Sequence, residues 1–278
     1  MILLPVKISK EEFYKRFMLI RFLQLVFISA ILMVLPLNSN AQKTLEVGAF
    51  GGGSYYLGDL NPALHFNQIQ FAYGGVVRYN INNRWTVKGS FYRGKVKGND
   101  AKTNSIANRE LNFQSRISDI SLVAEFNWWD YFTGSKKSFF TPYIFAGFSY
   151  FMFKPQTLDG IDLQPLGTEG QNVGFDERKP YNLYSFALPF GFGFKYSINS
   201  RIGLAFEWGM RKTITDYIDD VSTTYADNPD VIADPTQSHS AGMQRGDKTK
   251  NDWYNFTGVT LTYKFNLQDK TKCNTSSY

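Results

Sequence analysis

The segment 183–197 alternates between bulky apolar residues and small or polar ones with a period of two. The apolar positions are Tyr184, Phe186, Leu188, Phe190, Phe192, Phe194 and Tyr196. The positions between them include Ser185, Ala187, Gly191, Gly193 and Lys195. Successive side chains of a β-strand point to opposite faces, so this segment predicts a strand with one apolar face and one small or polar face.

The same period recurs in seven further segments, which gives eight predicted strands. They cover residues 44–57, 71–79, 85–91, 120–126, 141–153, 202–211 and 257–265. The first is less regular than the others, and the segment 141–153 is apolar on both faces. Aromatic residues make up 17% of the chain while its mean hydropathy is only -0.28, which is typical of strands that face two different solvents.

The predicted connections alternate in length. Short ones cover residues 80–84, 129–138 and 197–201, and long ones cover 58–69, 95–115, 155–182 and 212–252. Outer-membrane barrels have short periplasmic turns and long extracellular loops. We therefore predict an all-β fold, an eight-stranded antiparallel transmembrane β-barrel with both termini in the periplasm. A soluble sandwich or a lipocalin-like closed barrel is the alternative, because its strands alternate in the same way.

Aromatic residues at the predicted strand ends favour the membrane barrel, whose interfaces carry aromatic girdles. They are Tyr79, Trp85, Trp128, Trp129, Tyr131, Trp253, Tyr254 and Tyr263. The glycine-rich opposite faces of the strands favour the same conclusion. We predict that the protein lies in the cell outer membrane, in contact with its lipid.

An export signal precedes the first strand. Residues 25–37 form an apolar run that follows Arg21 and precedes the small residues Ser39 and Ala41. This pattern predicts a signal peptide over 1–41, with Met18 as an alternative start. An uncleaved membrane helix is the alternative, but it requires about 20 apolar residues. The barrel is then predicted over 42–266, followed by a periplasmic tail over 267–278.

If the apolar face meets lipid, eight charged side chains point into the barrel: Glu46, Arg78, Lys88, Glu125, Lys195, Glu207, Arg211 and Lys264. Eight strands enclose an interior about wide enough for side chains to fill it. We expect these charges to pair in networks, because an unpaired buried charge is costly. A proton or ion path is the alternative, and a diffusion pore is disfavoured.

The loops offer little catalytic or ligand-binding chemistry. The two histidines, His65 and His239, lie in separate loops without metal-ligand spacing, although Ser238 and Ser240 flank the second. The acidic stretch 216–234 is either a loop paired with Arg211, Arg245 or lipopolysaccharide-bound cations, or a calcium site without EF-hand spacing. The net charge of +6 is too small and too dispersed for nucleic-acid binding. We predict no catalytic residue, metal or cofactor.

Four stretches, taken as a set, resemble the PorG-like family of Bacteroidetes outer-membrane barrels. They are YYLGDLNP (55–62), LGTEGQ (166–171), EWGMRKTITDYIDDVSTTY (207–225) and NDWYNFTGVTLTYK (251–264). The namesake of that family is a component of the type IX secretion system. The resemblance implies a non-enzymatic barrel that anchors or assembles the periplasmic ring of PorK and PorN in protein secretion and gliding motility. The alternatives are a lipid-modifying enzyme and a small adhesin or pore.

The single cysteine, Cys273, lies in the predicted periplasmic tail. Because the periplasm is oxidising and the chain has no second cysteine, we predict an intermolecular disulfide with a periplasmic partner. A free thiol is the alternative.

Overall fold

The computed structural model describes residues 43–103, 106 and 108–267. The predicted signal peptide (1–41), Cys273 and all but the first residue of the predicted tail lie outside the described residues. The described strands are β1 (Thr44–Leu57), β2 (Gln70–Asn80), β3 (Trp85–Asn99), β4 (Asn112–Asn127), β5 (Phe140–Gln156), β6 (Tyr184–Ser197), β7 (Ile202–Thr213) and β8 (Trp253–Asn266). Each strand pairs antiparallel with the next, and β8 pairs with β1. The predicted eight-stranded antiparallel barrel is confirmed.

Connections of two kinds join the strands. At the end that carries both termini of the barrel lie the four-residue turns T1 (81–84) and T3 (198–201) and the 12-residue turn T2 (128–139). At the opposite end lie the loops L1 (58–69) and L2 (100–111), which are as long as T2, and the longer loops L3 (157–183) and L4 (214–252). L2 contains a helical turn, α1 (Asp100–Thr103), and L3 contains two short 3-10 helices. None of the helices in the described ranges is long and apolar enough to cross a membrane.

The outer wall carries an exposed apolar belt. On β6, the seven apolar residues from Tyr184 to Tyr196 are all exposed, and Phe71 and Phe148 are 73% and 74% exposed. A water-soluble barrel would bury such side chains in its core, so this orientation excludes the soluble alternative. In a bilayer, every backbone N–H and C=O group needs a hydrogen-bond partner within the protein. Because the sheet is closed, each strand of the wall is hydrogen-bonded to a neighbouring strand on both sides. The protein is therefore an outer-membrane β-barrel.

The barrel reverses its polarity along its axis. In the half nearest the turns, charges point inward and apolar side chains point outward. Near the loops, Val96 and Phe113 point inward and are fully buried, whereas Lys95 and Lys97 lie on the outer face. Here the strands continue beyond the apolar belt into water. The predicted loop 95–115 was therefore wrong at both ends, because β3 extends to Asn99 and β4 begins at Asn112.

An aromatic core fills the loop-side half of the lumen. Tyr92 stacks on Phe50 with ring centres 4.3 Å apart, and it packs edge-on against Phe256. Burial of each large ring contributes roughly 1.5–3 kcal/mol. Tyr254 belongs to this core and donates a hydrogen bond to Asp119. Its prediction as an interfacial girdle residue was wrong, and so was that of Tyr131, which is buried in T2.

Candidate functional site

All eight charged side chains predicted to point inward are buried. Most of them form one network around Glu125 on β4. Its Oε1 lies 3.3 Å from both Arg78 Nε and Lys88 Nζ. Its Oε2 lies 2.7 Å from Lys195 Nζ. Lys88 also forms an ion pair with Glu207, so the network joins five side chains from five strands.

Glycine makes room for the rings that support this network. A Cβ at Gly193 would lie 2.7 Å from Tyr143 Cε1, so any larger residue here would displace that ring. Tyr143 donates a hydrogen bond of 3.0 Å to Glu207. The ammonium of Lys195 lies 4.6 Å from the centre of the same ring. The small residues that alternate along β6 thus place aromatic rings beside the buried cations.

Turn T2 closes the periplasmic mouth. Thr133 reaches into the lumen and donates a hydrogen bond of 2.7 Å to Glu46. Lys264 donates to the carbonyl oxygen of Thr133, and the Gly134 amide donates to Ser197 Oγ at 2.7 Å. The turn is thereby fixed to β1, β6 and β8.

The two remaining interior cations lie over aromatic rings. The guanidinium of Arg211 is 4.8 Å from the Phe256 ring centre, and Lys264 Nζ is 4.2 Å from that of Phe132. Within the described residues, neither cation forms an ion pair. Together, the ion-pair network, the aromatic core and T2 fill the lumen. An ion path or diffusion pore has no support in this geometry.

The loops close the outer mouth, and the four stretches that carry the family resemblance meet there. Tyr56, from the first stretch, lies at the loop end of β1, and its side chain reaches L4. Its hydroxyl lies 2.5 Å from Asp219 Oδ2 and 2.8 Å from Asp252 Oδ1. A hydroxyl has one proton, so both contacts are hydrogen bonds only when one carboxyl is protonated. Burial, reinforced by neighbouring carboxylates, raises the pKa of both Asp219 and Asp252 well above the usual range.

The second stretch contributes Glu169 from L3. This carboxylate accepts hydrogen bonds from the Ser222 and Thr223 amides at 2.9 and 3.0 Å. It also forms an ion pair of 3.1 Å with Arg245, which in turn donates to the Asp220 carbonyl at 2.5 Å. Glu169 therefore organises L4 from a position 53 or more residues away in sequence.

Asp220 is held in the same way by two hydroxyls. Thr168 and Tyr181 each donate to its carboxylate at 2.5 Å. Burial raises the pKa of Asp220 to about 6, although Arg245 opposes the shift. Burial also raises the pKa of Asp216 to about 9.

Loop L2 is tied to the other loops by Arg109. Its guanidinium binds Asp100 through two hydrogen bonds of 2.6 Å, a bidentate geometry that fixes orientation as well as distance. It also donates to the backbone carbonyls of Arg245 in L4 and Asp59 in L1, at 2.7 and 2.8 Å. All four loops therefore form one cap. One of these contacts agrees with the sequence analysis, in which the acidic stretch 216–234 was expected to pair with Arg211 or Arg245: Arg245 lies 3.8 Å from the Asp220 carboxylate, whereas Arg211 forms no ion pair within the described residues. The sequence did not predict the roles of Tyr56, Glu169 and Arg109.

The histidines lie apart. His65 contacts the Tyr55 hydroxyl at 3.1 Å on the outer wall. His239 stacks on Tyr225 and hydrogen-bonds to Asp234 at 2.9 Å. In the described part of the chain, no serine or cysteine side chain hydrogen-bonds to His239. The His–Asp pair therefore lacks the nucleophile that a hydrolase triad requires.

The acidic stretch 216–234 does not converge on one point. Asp219 binds Tyr56, Asp220 binds Thr168, and Asp234 binds His239. Over the ranges that the structure describes, no three histidine, cysteine or acidic side chains are placed to hold a metal ion. The geometry instead uses these carboxylates as hydrogen-bond acceptors that order the cap.

The sequence matches one protein family over residues 24–275, nearly the full chain. The chain belongs to the DUF6089 family. That family is described only as a domain of unknown function, and no curated protein matches the sequence significantly. The resemblance of this DUF6089 protein to the PorG-like family is not confirmed by this match and stays a prediction.

Solved structures similar to this DUF6089 protein are small outer-membrane barrels. Ail of Yersinia pestis, solved with the heparin analogue sucrose octasulfate, is 10% identical, with a TM-score of 0.41 over 81% of this chain and 99% of that one. Neisserial surface protein A is 13% identical, with a TM-score of 0.42 over 80% and 97%. Outer membrane protein W of E. coli is 16% identical, with a TM-score of 0.34 over 81% and 98%. These similarities are too distant to transfer a function.

Proposed function

We propose that this protein is a non-enzymatic anchor that holds the periplasmic PorK and PorN ring of a type IX secretion and gliding apparatus at the outer membrane. The observation that carries the proposal is the closure of the barrel at both ends around a filled lumen. A closed barrel acts through its surfaces. The identity of the ring partner rests on the resemblance of the four stretches to the PorG-like family.

The periplasmic surface suits such a contact. T2 is the longest of the three turns, and its hydrogen bonds to Glu46 and Ser197 hold it rigidly. Its tip presents the exposed side chains of Lys136 and Lys137. A rigid loop loses little conformational entropy on binding, which favours a stable complex. Strand β8 ends on this side of the barrel, and we propose that Cys273, which follows it in the sequence, forms a disulfide with a periplasmic partner.

Site-specific photo-cross-linking in intact cells tests the anchor. A photoreactive residue at Lys137 should cross-link to PorK or PorN. The same residue at Lys248, which is exposed in L4 on the opposite side, is the matched control and should give no ring adduct. Deletion of the gene should abolish secretion of type IX cargo. Cross-links from T2 that lack both ring proteins, together with normal secretion by the deletion strain, would contradict the proposal.

The disulfide is tested separately. Non-reducing electrophoresis of native membranes should show a species that collapses on reduction and is missing in Cys273→Ser. A freely alkylatable Cys273 in native membranes would refute the disulfide without affecting the anchor.

A further inference from the structure

Five cations lie together on the outer wall of the barrel. Lys95 on β3, Arg116 on β4 and Lys154 on β5 are direct partners in the strand register, and they form a row across three adjacent strands. Arg93 and Lys97 flank Lys95 on the same outward face of β3. We call these five residues the basic row. Their side chains are exposed or half-buried.

The basic row is poorly neutralised by the protein itself. Within the described residues, its one ion pair joins Lys154 to Asp162 at 2.7 Å. Lys95 Nζ contacts only an amide oxygen, Gln114 Oε1, at 3.4 Å. Like charges that lie directly opposite each other on neighbouring strands destabilise a sheet. This arrangement therefore opposes folding, and an anion bound from outside would relieve it.

The position of the row indicates which anion. On β3 and β5, the cations begin at the next outward-facing position after the last exposed apolar residue in the direction of the long loops, and on β4 only Ser118 lies between the two on the outward face. Phe91 precedes Arg93 on β3, Met152 precedes Lys154 on β5, and Ile120 lies below Arg116 on β4. These three apolar side chains are 45%, 47% and 55% exposed and belong to the lipid-facing belt. The row thus lies where the belt ends, at the level of the outer-leaflet headgroups.

We propose that the basic row binds the phosphate groups of an outer-leaflet lipid whose acyl chains lie against Phe91, Ile120 and Met152. Arginine supplies a planar fork that matches phosphate oxygens, and the lysines supply mobile point charges. A soluble polyanion would have the same charge but would not use the apolar residues directly below the cations. This inference does not depend on the ring-anchoring proposal.

Native mass spectrometry of the full-length protein, purified in a neutral detergent, tests the site. Bisphosphorylated lipid A and phosphatidylglycerol should bind, and zwitterionic phosphatidylcholine should bind at least about tenfold more weakly. The double substitution Lys95→Gln/Arg116→Gln should weaken lipid A binding by about thirtyfold. The matched control, Lys248→Gln/Lys250→Gln in L4, removes two cations on another face and should leave binding unchanged.

Two further measurements separate binding from folding and one ligand from another. Because the row is self-repelling, the lipid-free double variant should melt at a higher temperature than the parent. Tighter binding of lipid A than of phosphatidylglycerol identifies a glycolipid site, and equal binding identifies a general lipid-phosphate site. Unchanged lipid affinity in the double variant overturns the proposal. So does binding of a heparin-derived octasaccharide through the row while neither phosphate-bearing lipid binds.

Discussion

Glu125 on β4 and Lys195 on β6 form an ion pair across the barrel lumen, with Oε2 and Nζ 2.7 Å apart. These two strands are not neighbours, because β5 lies between them. The same carboxylate contacts Arg78 on β2 and Lys88 on β3. One carboxylate therefore contacts three cations from three other strands, and one of them, Lys88, also pairs with Glu207.

Replacing Glu125 with glutamine should strongly destabilise the barrel. The substitution keeps the shape of the side chain but leaves three buried cations without their common counter-charge, at a cost of about 3–5 kcal/mol. Urea unfolding of the protein in detergent micelles, followed by tryptophan fluorescence, measures the loss. Glu177→Gln, at an exposed position in L3, should have almost no effect. Equal stability of both variants would show that the network contributes little.

The protein should not conduct ions. Side chains fill its lumen, T2 closes the periplasmic mouth and the cap closes the outer one. Planar bilayers with the purified protein should show no stepwise current over the background of empty bilayers at up to about 100 mV, as expected for a filled eight-stranded barrel. Reproducible unitary steps that scale with protein concentration would contradict this prediction and revive the pore alternative.

The membrane part of the fold could be predicted from the sequence because the alternation of side chains along a strand depends only on neighbouring residues. Alternation on β6 assigns Phe192 to one face and Lys195 to the other without knowledge of any partner strand. The prediction from alternation failed beyond the apolar belt, where the outer face of the strand no longer meets lipid. Beyond the belt the period of two continues, but the solvent outside changes from lipid to water. On β3 the inward face therefore changes from the charged Lys88 to the apolar Val96, and the outward face carries Lys95, so that the end of the strand was interpreted as a loop.

The cap could not be predicted from the sequence because its contacts are remote. Glu169 orders residues 222 and 223 in L4, and Arg109 binds the carbonyl of Arg245, 136 residues away. No local period places an acidic side chain of L3 beside an amide of L4. The resemblance identified the four stretches as a set. Only the structure brings Tyr56, Asp219 and Asp252 together.

The cap should become less stable as the pH rises. The pKa of Asp216 is raised by burial to about 9 and that of Asp220 to about 6, against about 4 in an unfolded chain. A raised carboxyl pKa contributes stability that is complete below about pH 4 and is lost as the pH rises through the folded value. For Asp216 this window extends from about pH 4 to about pH 9.

Hydrogen exchange of L4 amides at pH 5 to 9, corrected for intrinsic rates, measures this dependence. Opening should increase with pH, by at most about tenfold per unit for one linked proton. Asp216→Asn imitates the protonated form and should flatten the profile between pH 6 and 9. The groups that face Asp216 include Asp59, Asp219 and Glu169; the pKa of Asp59 and that of Asp219 are also raised by burial, so a residual slope from these two carboxyls should persist in the variant. An L4 profile that does not change with pH would refute the linkage.

Replacing Tyr56 with phenylalanine should loosen the cap while leaving the barrel intact. The hydroxyl bridges Asp219, near the beginning of L4, and Asp252, the last residue of L4 before β8. Without it, two buried carboxyls lose a partner, and the unsatisfied groups cost about 1–3 kcal/mol. The Ile218 and Val221 amides, which donate to these carboxylates at 2.8 and 3.0 Å, should exchange faster in the variant, whereas amides of the membrane strands should not change.

Tyr73→Phe is the matched control, because the Tyr73 ring is 50% exposed on the lipid-facing wall. If Tyr56→Phe leaves the exchange of both L4 amides at the parental rate, the hydroxyl bridge does not hold the cap together, and its order must come from Glu169 and Arg245 instead.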